Sequence, residues 1–321
     1  MKTHPYGFRV VGATRETRRL VDAAAALAAH AACDPRAELD RECFLSAFQF
    51  GDDFRRHLES TGSTAEFAGE CCAPWLWFDI DRTDRAVALT DARRLALTLD
   101  ERYMLAEGDL LAFYSGAKGF HLGLPTSLWA PQPSATFHKI ARQFAEQLAE
   151  LARVAIDTGV YDKVRLFRAP NSRHPKTGFY KRRLSLDVLM QMSIDGIQEL
   201  AAEPAPFDVP TPTRQSDQAA ADWLDAERQV AGQAEANAAR RAERNGSPTL
   251  NRSTLDTIRG ETLPAEGDRH RLLFSAAANL GEFDCPDELA LALLLDAGLP
   301  PKEVLRQIEC GLAHGRGNYA V

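Results

Sequence analysis

Residues 75–81 read Trp-Leu-Trp-Phe-Asp-Ile-Asp, a run of large apolar side chains that ends in two acids two positions apart. The run has the length and composition of a buried strand, in which residues i and i+2 point to one face. Asp79 and Asp81 would then project side by side. Carboxylates held that close repel each other unless a cation lies between them, so the pair reads as a divalent-metal site. The plainer alternative is an Asp-rich strand end entering a turn, helped by Arg82-Thr-Asp84.

Three other segments bear on the choice. Ser115-Gly-Ala-Lys-Gly-Phe-His121 lies between apolar runs at 110–114 and 121–125, and strand, glycine turn and strand spell a hairpin. Glycines let backbone approach a ligand, and Ser115, Lys118 and His121 add donors suited to a triphosphate; a bland glycine hairpin is the alternative. Residues 163–183 hold Lys163, Arg165, Arg168, Arg173, Lys176, Lys181, Arg182 and Arg183 with no Asp or Glu between them. Anionic-substrate binding is preferred there over a merely solubilising basic hairpin, because 170–178 (Pro-Asn-Ser-Arg-His-Pro-Lys-Thr-Gly) is rich in turn chemistry. Just upstream, Val154-Ala-Ile-Asp157 repeats the pattern of an apolar strand ending in an acid. A third carboxylate is what two-metal nucleotidyl transfer requires.

The net charge of −7 over 321 residues excludes a protein that coats nucleic acid non-specifically; any such site is a local basic patch on an acidic body. Length allows one large domain and a small one. Cys33, Cys43, Cys71, Cys72, Cys285 and Cys310 form no Cys-x-x-Cys pair, which fits buried thiols in a reducing compartment and gives no reason to expect zinc. The first residues lack an apolar signal core, and the apolar runs near 23–32 and 289–295 are too short or too Ala-rich to span a bilayer. A cytoplasmic protein with no membrane contact is expected.

Helices are expected at 14–32, 36–50, 91–99 and 134–155, the last with Ser134 as N-cap and apolar residues at helical spacing. Strands are expected at 75–81, 110–114, 121–125 and 164–168. Residues 204–247 read as a Pro/Thr-rich linker followed by a charged helical or partly disordered stretch. Beyond it, helices are expected at 269–280, 287–297 and 301–313, with Gly298 and Gly311 at helix C-termini.

Taken together, these residues resemble the catalytic core of the archaeo-eukaryotic primase superfamily, which includes primase small subunits and primase-polymerases. Three motifs appear in the family's order: Asp79 with Asp81, the Ser115–His121 element, and Ile156-Asp157. Residues 157–161 followed by Arg165 and Arg168 look like the corresponding run of primase-polymerases, and 170–178 is similar to the segment after the third acid in small subunits. The resemblance covers roughly 74–189. Residues from 267 onwards resemble the helical modules that follow such cores in plasmid and phage primases. Where many relatives have a serine two before the motif histidine, this chain has Gly119, so its N–H or Ser115 would take over that phosphate contact.

The resemblance implies an α+β fold: a catalytic domain at 1–203 with a mixed sheet and N-terminal helices, a linker at 204–247, and an all-α module at 248–321. It implies a DNA primase-polymerase that transfers nucleotides from NTPs or dNTPs to a primer on a single-stranded DNA template, and that starts primers de novo. Asp79, Asp81 and Asp157 would hold two Mg²⁺ or Mn²⁺ ions. Ser115, Lys118, Gly119 and His121 would cradle the triphosphate, and Arg165, Arg168 and His174 the incoming nucleotide or template. Arg173 and Lys176 would meet nucleic acid. No Walker A motif is present, so a helicase, like any other replication or defence protein, would be a separate partner. An end-joining repair polymerase on the same core and a non-catalytic nucleic-acid-binding module stay open as alternatives.

Overall fold

A computed structural model describes residues 4–106, 108–211, 214–243, 248–260, 269–294 and 300–317. The chain divides into two compact units, residues 1–231 and 232–321.

The first unit contains, in order, β1 (Tyr6–Val11), β2 (Arg19–Asp22), α1 (Ala23–Ala31), β3 (Cys43–Ser46), β4 (Gln49–Phe50), α2 (Asp52–Thr61), β5 (Cys71–Cys72) and β6 (Trp75–Asp81). There follow α3 (Arg85–Tyr103), β7 (Leu111–Tyr114), β8 (Gly119–Pro125), α4 (Phe137–Ala152), β9 (Leu166–Arg168), β10 (Arg182–Leu184), α5 (Leu186–Gln191), α6 (Ile194–Leu200) and α7 (Asp217–Glu243), which runs past residue 231.

The α+β class is as expected. The sheet differs: instead of one mixed sheet there are two, of order β5-β4-β1-β3-β9 with β2 beside β1, and β10-β7-β8-β6. Among the described residues every pairing within them is antiparallel. Two of the expected helices are also strand in part. Residues 14–32 hold β2 before α1, and 36–50 hold β3 and β4, because Phe8, Phe44 and Phe50 bury in a sheet where helix propensity alone favours the Ala- and Arg-rich reading.

β6 alternates as a half-buried strand should. Leu76, Phe78 and Ile80 belong to the main core with Ala88, Ala92 and Leu95 of α3 and Phe144 of α4. Trp77 lies against Phe113 and Phe167, and Asp79 and Asp81 share its register parity. α4 begins at Phe137 with Thr136 at its N-cap; Ser134, expected to cap it, instead bonds through its backbone to Cys71. The stretch expected to be a linker from 204 packs into this unit. Phe207 lies edge-on to Phe113, and Trp223 of α7 packs with Trp129, Phe137 and Phe144. Asp222 fixes α7 further, accepting from Arg102 Nε at 2.6 Å and Tyr103 Oη at 2.8 Å.

The second unit holds α8 (Arg252–Arg259), α9 (Arg269–Gly281), α10 (Asp287–Leu294) and α11 (Pro301–Gly317) around Leu273, Ala277, Leu280, Val304, Ile308 and Leu312. Gly311, expected at a helix end, lies inside α11. A Cβ there would stand 2.6 Å from Phe274 O, and one at Gly315 2.0 Å from Ala278 O, so small residues let α9 and α11 touch backbone to backbone. Gly298 lies outside the described residues. No described helix is long and apolar enough to cross a membrane.

Candidate active site

The acid pair sits on the last turns of β6, paired to β8 with Asp79 opposite His121 and Asp81 opposite Gly119. Asp157 reaches it from outside the sheet. Residues 154–157 are not the strand the sequence suggested; Arg153 at φ 54° ends α4, and the chain then runs extended. The Asp157 N–H donates to Asp79 O at 2.8 Å, which draws the third acid to the pair. Arg82 secures the same junction, donating to Asp81 O at 2.7 Å, Ala155 O at 2.6 Å and Asp91 Oδ2 at 2.8 Å. The Asp157 carboxylate accepts from Gly159 N–H and caps the short 3₁₀ turn Thr158–Tyr161, whose Tyr161 hydroxyl donates to Trp77 O.

The three carboxylates sit in different surroundings. Asp79 is the buried one, and burial, then Asp81, then Asp157 push its pKa up to about 7. Its Oδ1 is buried and lacks a hydrogen-bond partner, standing 3.4 Å from His121 Nε2 without bonding to it. The outer acids are half-exposed, at 40% for Asp81 and 50% for Asp157, and each faces a cation: Lys118 Nζ at 3.4 Å and Arg165 Nη2 at 4.0 Å. Among the described residues no group of three Asp, Glu, His or Cys side chains is placed so that it could hold a metal ion as it stands.

Gly119 explains why this turn carries no larger side chain beside the acids. A Cβ there would stand 2.2 Å from Asp81 Oδ1 and 2.4 Å from Ile80 O. Its N–H is not free for phosphate, since it donates to Ser115 Oγ, which also accepts from Ala117 N–H. Ser115 and Gly119 thus hold the turn closed, and Lys118 is the accessible donor. His121 is 5% exposed, its ring 4.4 Å from that of Phe167 and its pKa lowered by burial, so it lies beneath Asp79 as a neutral imidazole.

The basic run divides by burial, which composition could not reveal. Arg165, Arg173 and Lys176 are exposed. Lys163 donates to Ala68 O and Gly69 O, and Arg183 to Leu110 O, Ala112 O and Leu184 O. Arg168, expected at the nucleotide, is spent on Glu42 at 2.7 Å and the face of Phe44, with Nη1 buried and unpartnered. Lys181, part of the run expected to bind an anionic substrate, is wholly buried. Its Nζ donates to Arg168 O at 2.8 Å and lies 4.1–5.1 Å from the rings of Phe167, Phe113 and Trp77. Burial pulls its pKa well below the usual lysine value, with Asp79 opposing.

Residues 171–181 form a narrow hairpin. Asn171 N–H donates to Lys181 O and His174 N–H to Phe179 O, with Arg173 opposite Tyr180. Asn171, buried at φ 55°, binds His30 O and both sides of Ala205, so the turn-rich 170–172 is a structural knot. His174 Nδ1 accepts from Lys176 and Thr177 N–H, which puts the ring proton on Nε2.

No family model matches the chain, and no curated protein matches it. A solved structure it is similar to is the crystal structure of primase RepB′, at 14% identity over 98% of this chain and 90% of that one, with a TM-score of 0.37. At so low a score the chemistry has to be read from the residues themselves.

Proposed function

We propose that this chain is a primase-polymerase: a divalent-metal-dependent nucleotidyltransferase that extends, and also starts, strands on a single-stranded DNA template. In that reaction a 3′-hydroxyl attacks the α-phosphorus of an NTP or dNTP and pyrophosphate leaves. The observation that carries the reading is the meeting of Asp157 with Asp79 and Asp81, which leaves Asp79 Oδ1 buried, unpartnered and repelled by two neighbours.

That oxygen fits a divalent cation, since no donor among the described residues satisfies it and Mg²⁺ and Mn²⁺ take carboxylate oxygens. The outer acids fit too. Their present partners are exposed ion pairs of about 0–1 kcal/mol, which an ion of charge +2 would displace. Asp79, Asp81 and Asp157 would hold the ions. Bound there, Mg²⁺ or Mn²⁺ supplies Lewis acidity for the attacking hydroxyl and the leaving phosphates.

The chain's own groups do the rest. Lys118 and Arg165, both exposed and beside the outer acids, receive the triphosphate. His121 and Lys181 support Asp79 from below, and Ser115 and Gly119 keep the turn shaped. His174 offers Nε2–H to the nucleotide, and Arg173 and Lys176 face the nucleic-acid backbone. The test is incorporation of labelled NTPs and dNTPs on single-stranded template with Mn²⁺, by wild type and by Asp79→Ala with Asp81→Ala. Binding without turnover, or turnover that survives the double substitution, would sink the reading.

A further inference from the structure

The tip of the basic hairpin is not an independent surface loop. Thr177 Oγ1 donates to Gly116 O at 2.5 Å, and the same oxygen accepts from Phe179 N–H. Gly116 adopts φ +84°, and a Cβ there would lie 3.0 Å from Phe179 O, so the phosphate turn and the hairpin touch backbone to backbone. Farther along that turn, Gly119 packs on Asp81 and Lys118 faces it. The hairpin base is also pinned, by Asn171 in its knot and by Lys181 among three rings. One hydroxyl therefore links the segment carrying Arg173, His174 and Lys176 to the turn carrying Lys118.

We propose that Thr177 is a positioning residue that latches the basic hairpin onto the phosphate turn, so that nucleic acid on Arg173 and Lys176 tightens the grip of Lys118 on the incoming triphosphate. This rests on the primase-polymerase reading. Thr177 itself touches neither substrate. Its hydroxyl sets where the Gly116 carbonyl, and with it the rest of the turn, is held. A link of this kind is reciprocal, so a nucleotide on the turn also raises affinity for the template.

Thr177→Val keeps the shape and removes the hydroxyl, while Thr177→Ser keeps the hydroxyl. In steady-state extension at saturating template, Thr177→Val should raise KM for the nucleotide about fivefold, the scale of one net hydrogen bond, and lower kcat less. Thr177→Ser should restore KM. In fluorescence anisotropy, adding nucleotide should tighten wild-type binding to single-stranded DNA but not that of Thr177→Val. An unchanged KM, or a Thr177→Ser variant that behaves like Thr177→Val, overturns the latch. Amide hydrogen exchange across 115–119 reads it without any turnover: faster exchange in Thr177→Val, restored in Thr177→Ser, supports the latch, and unchanged exchange overturns it. If wild type incorporates no nucleotide, the polymerase reading fails while the exchange result still decides the latch.

Discussion

The acid edge of β6 and the basic hairpin at 171–181 were both visible as runs of like charge, yet they are built in opposite ways. At the acid edge the backbone is tightly bonded while a carboxylate oxygen of Asp79 is left buried and unpaired. In the hairpin the cations at the tip are exposed, and the base is spent on holding the hairpin together through Asn171 and Lys181. An unsatisfied polar atom inside a protein costs about 1–3 kcal/mol and therefore points to something it is meant to bind. An exposed lysine costs little and points nowhere until its neighbours are known. Of two charge clusters of similar prominence in the sequence, the buried one carries the sharper functional message.

The largest expected effect is on that buried acid. Asp79→Asn should lower nucleotide incorporation roughly 100-fold or more, read by extension of a labelled primer with Mn²⁺. A residual rate near wild type would show the acids to be ordinary strand-end residues. The same substitution should raise the Tm of metal-free protein. Burial and the neighbouring Asp81 and Asp157 push the Asp79 carboxyl from the ordinary 3.8 up to about 7, so folding favours its protonated form. The group's favourable contribution is complete below the unfolded value and is lost as pH rises through 7. The Tm advantage of Asp79→Asn over wild type in EDTA should accordingly be large at pH 8 and shrink toward pH 4; an advantage that does not vary with pH would place the repulsion elsewhere.

Gly119→Ala tests the closeness of the turn to Asp81. The overlap with Asp81 Oδ1 and Ile80 O should cost about 1–3 kcal/mol in denaturant unfolding and reduce incorporation in parallel. Arg82→Gln should lower kcat roughly tenfold by freeing Ala155 O, and with it the run to Asp157, at little expense to KM. A KM effect instead would mean that Arg82 touches substrate.

The smallest effects separate the two kinds of hairpin cation. Lys176→Gln should leave Tm unchanged and flatten the salt dependence of single-stranded DNA binding by about 0.7 in log–log slope. Lys181→Met removes the same amine, and should lower Tm while leaving the salt slope as it is, because the side chain is wholly buried. Identical outcomes for the two would erase the distinction between tip and base.

Much of this was written in the chain itself. Period-two alternation fixed β6 and put both acids on one face, glycine chemistry fixed the β7–β8 hairpin, and helical spacing fixed α4. Those are local properties, set by which side chains recur at which interval. Where local preference and tertiary burial disagreed, as in the Ala- and Arg-rich N-terminal segment that folds in part as strands, the sheet prevailed. The sequence also supplied the identities of the acids, Lys118 and Arg165. Only the tertiary structure decided that an extended coil, rather than a strand, brings Asp157 to Asp79, that Arg168 belongs to Glu42, and that Lys181 is buried while Lys176 is not. Those outcomes depend on burial and on hydrogen bonds between distant segments, which no spacing encodes.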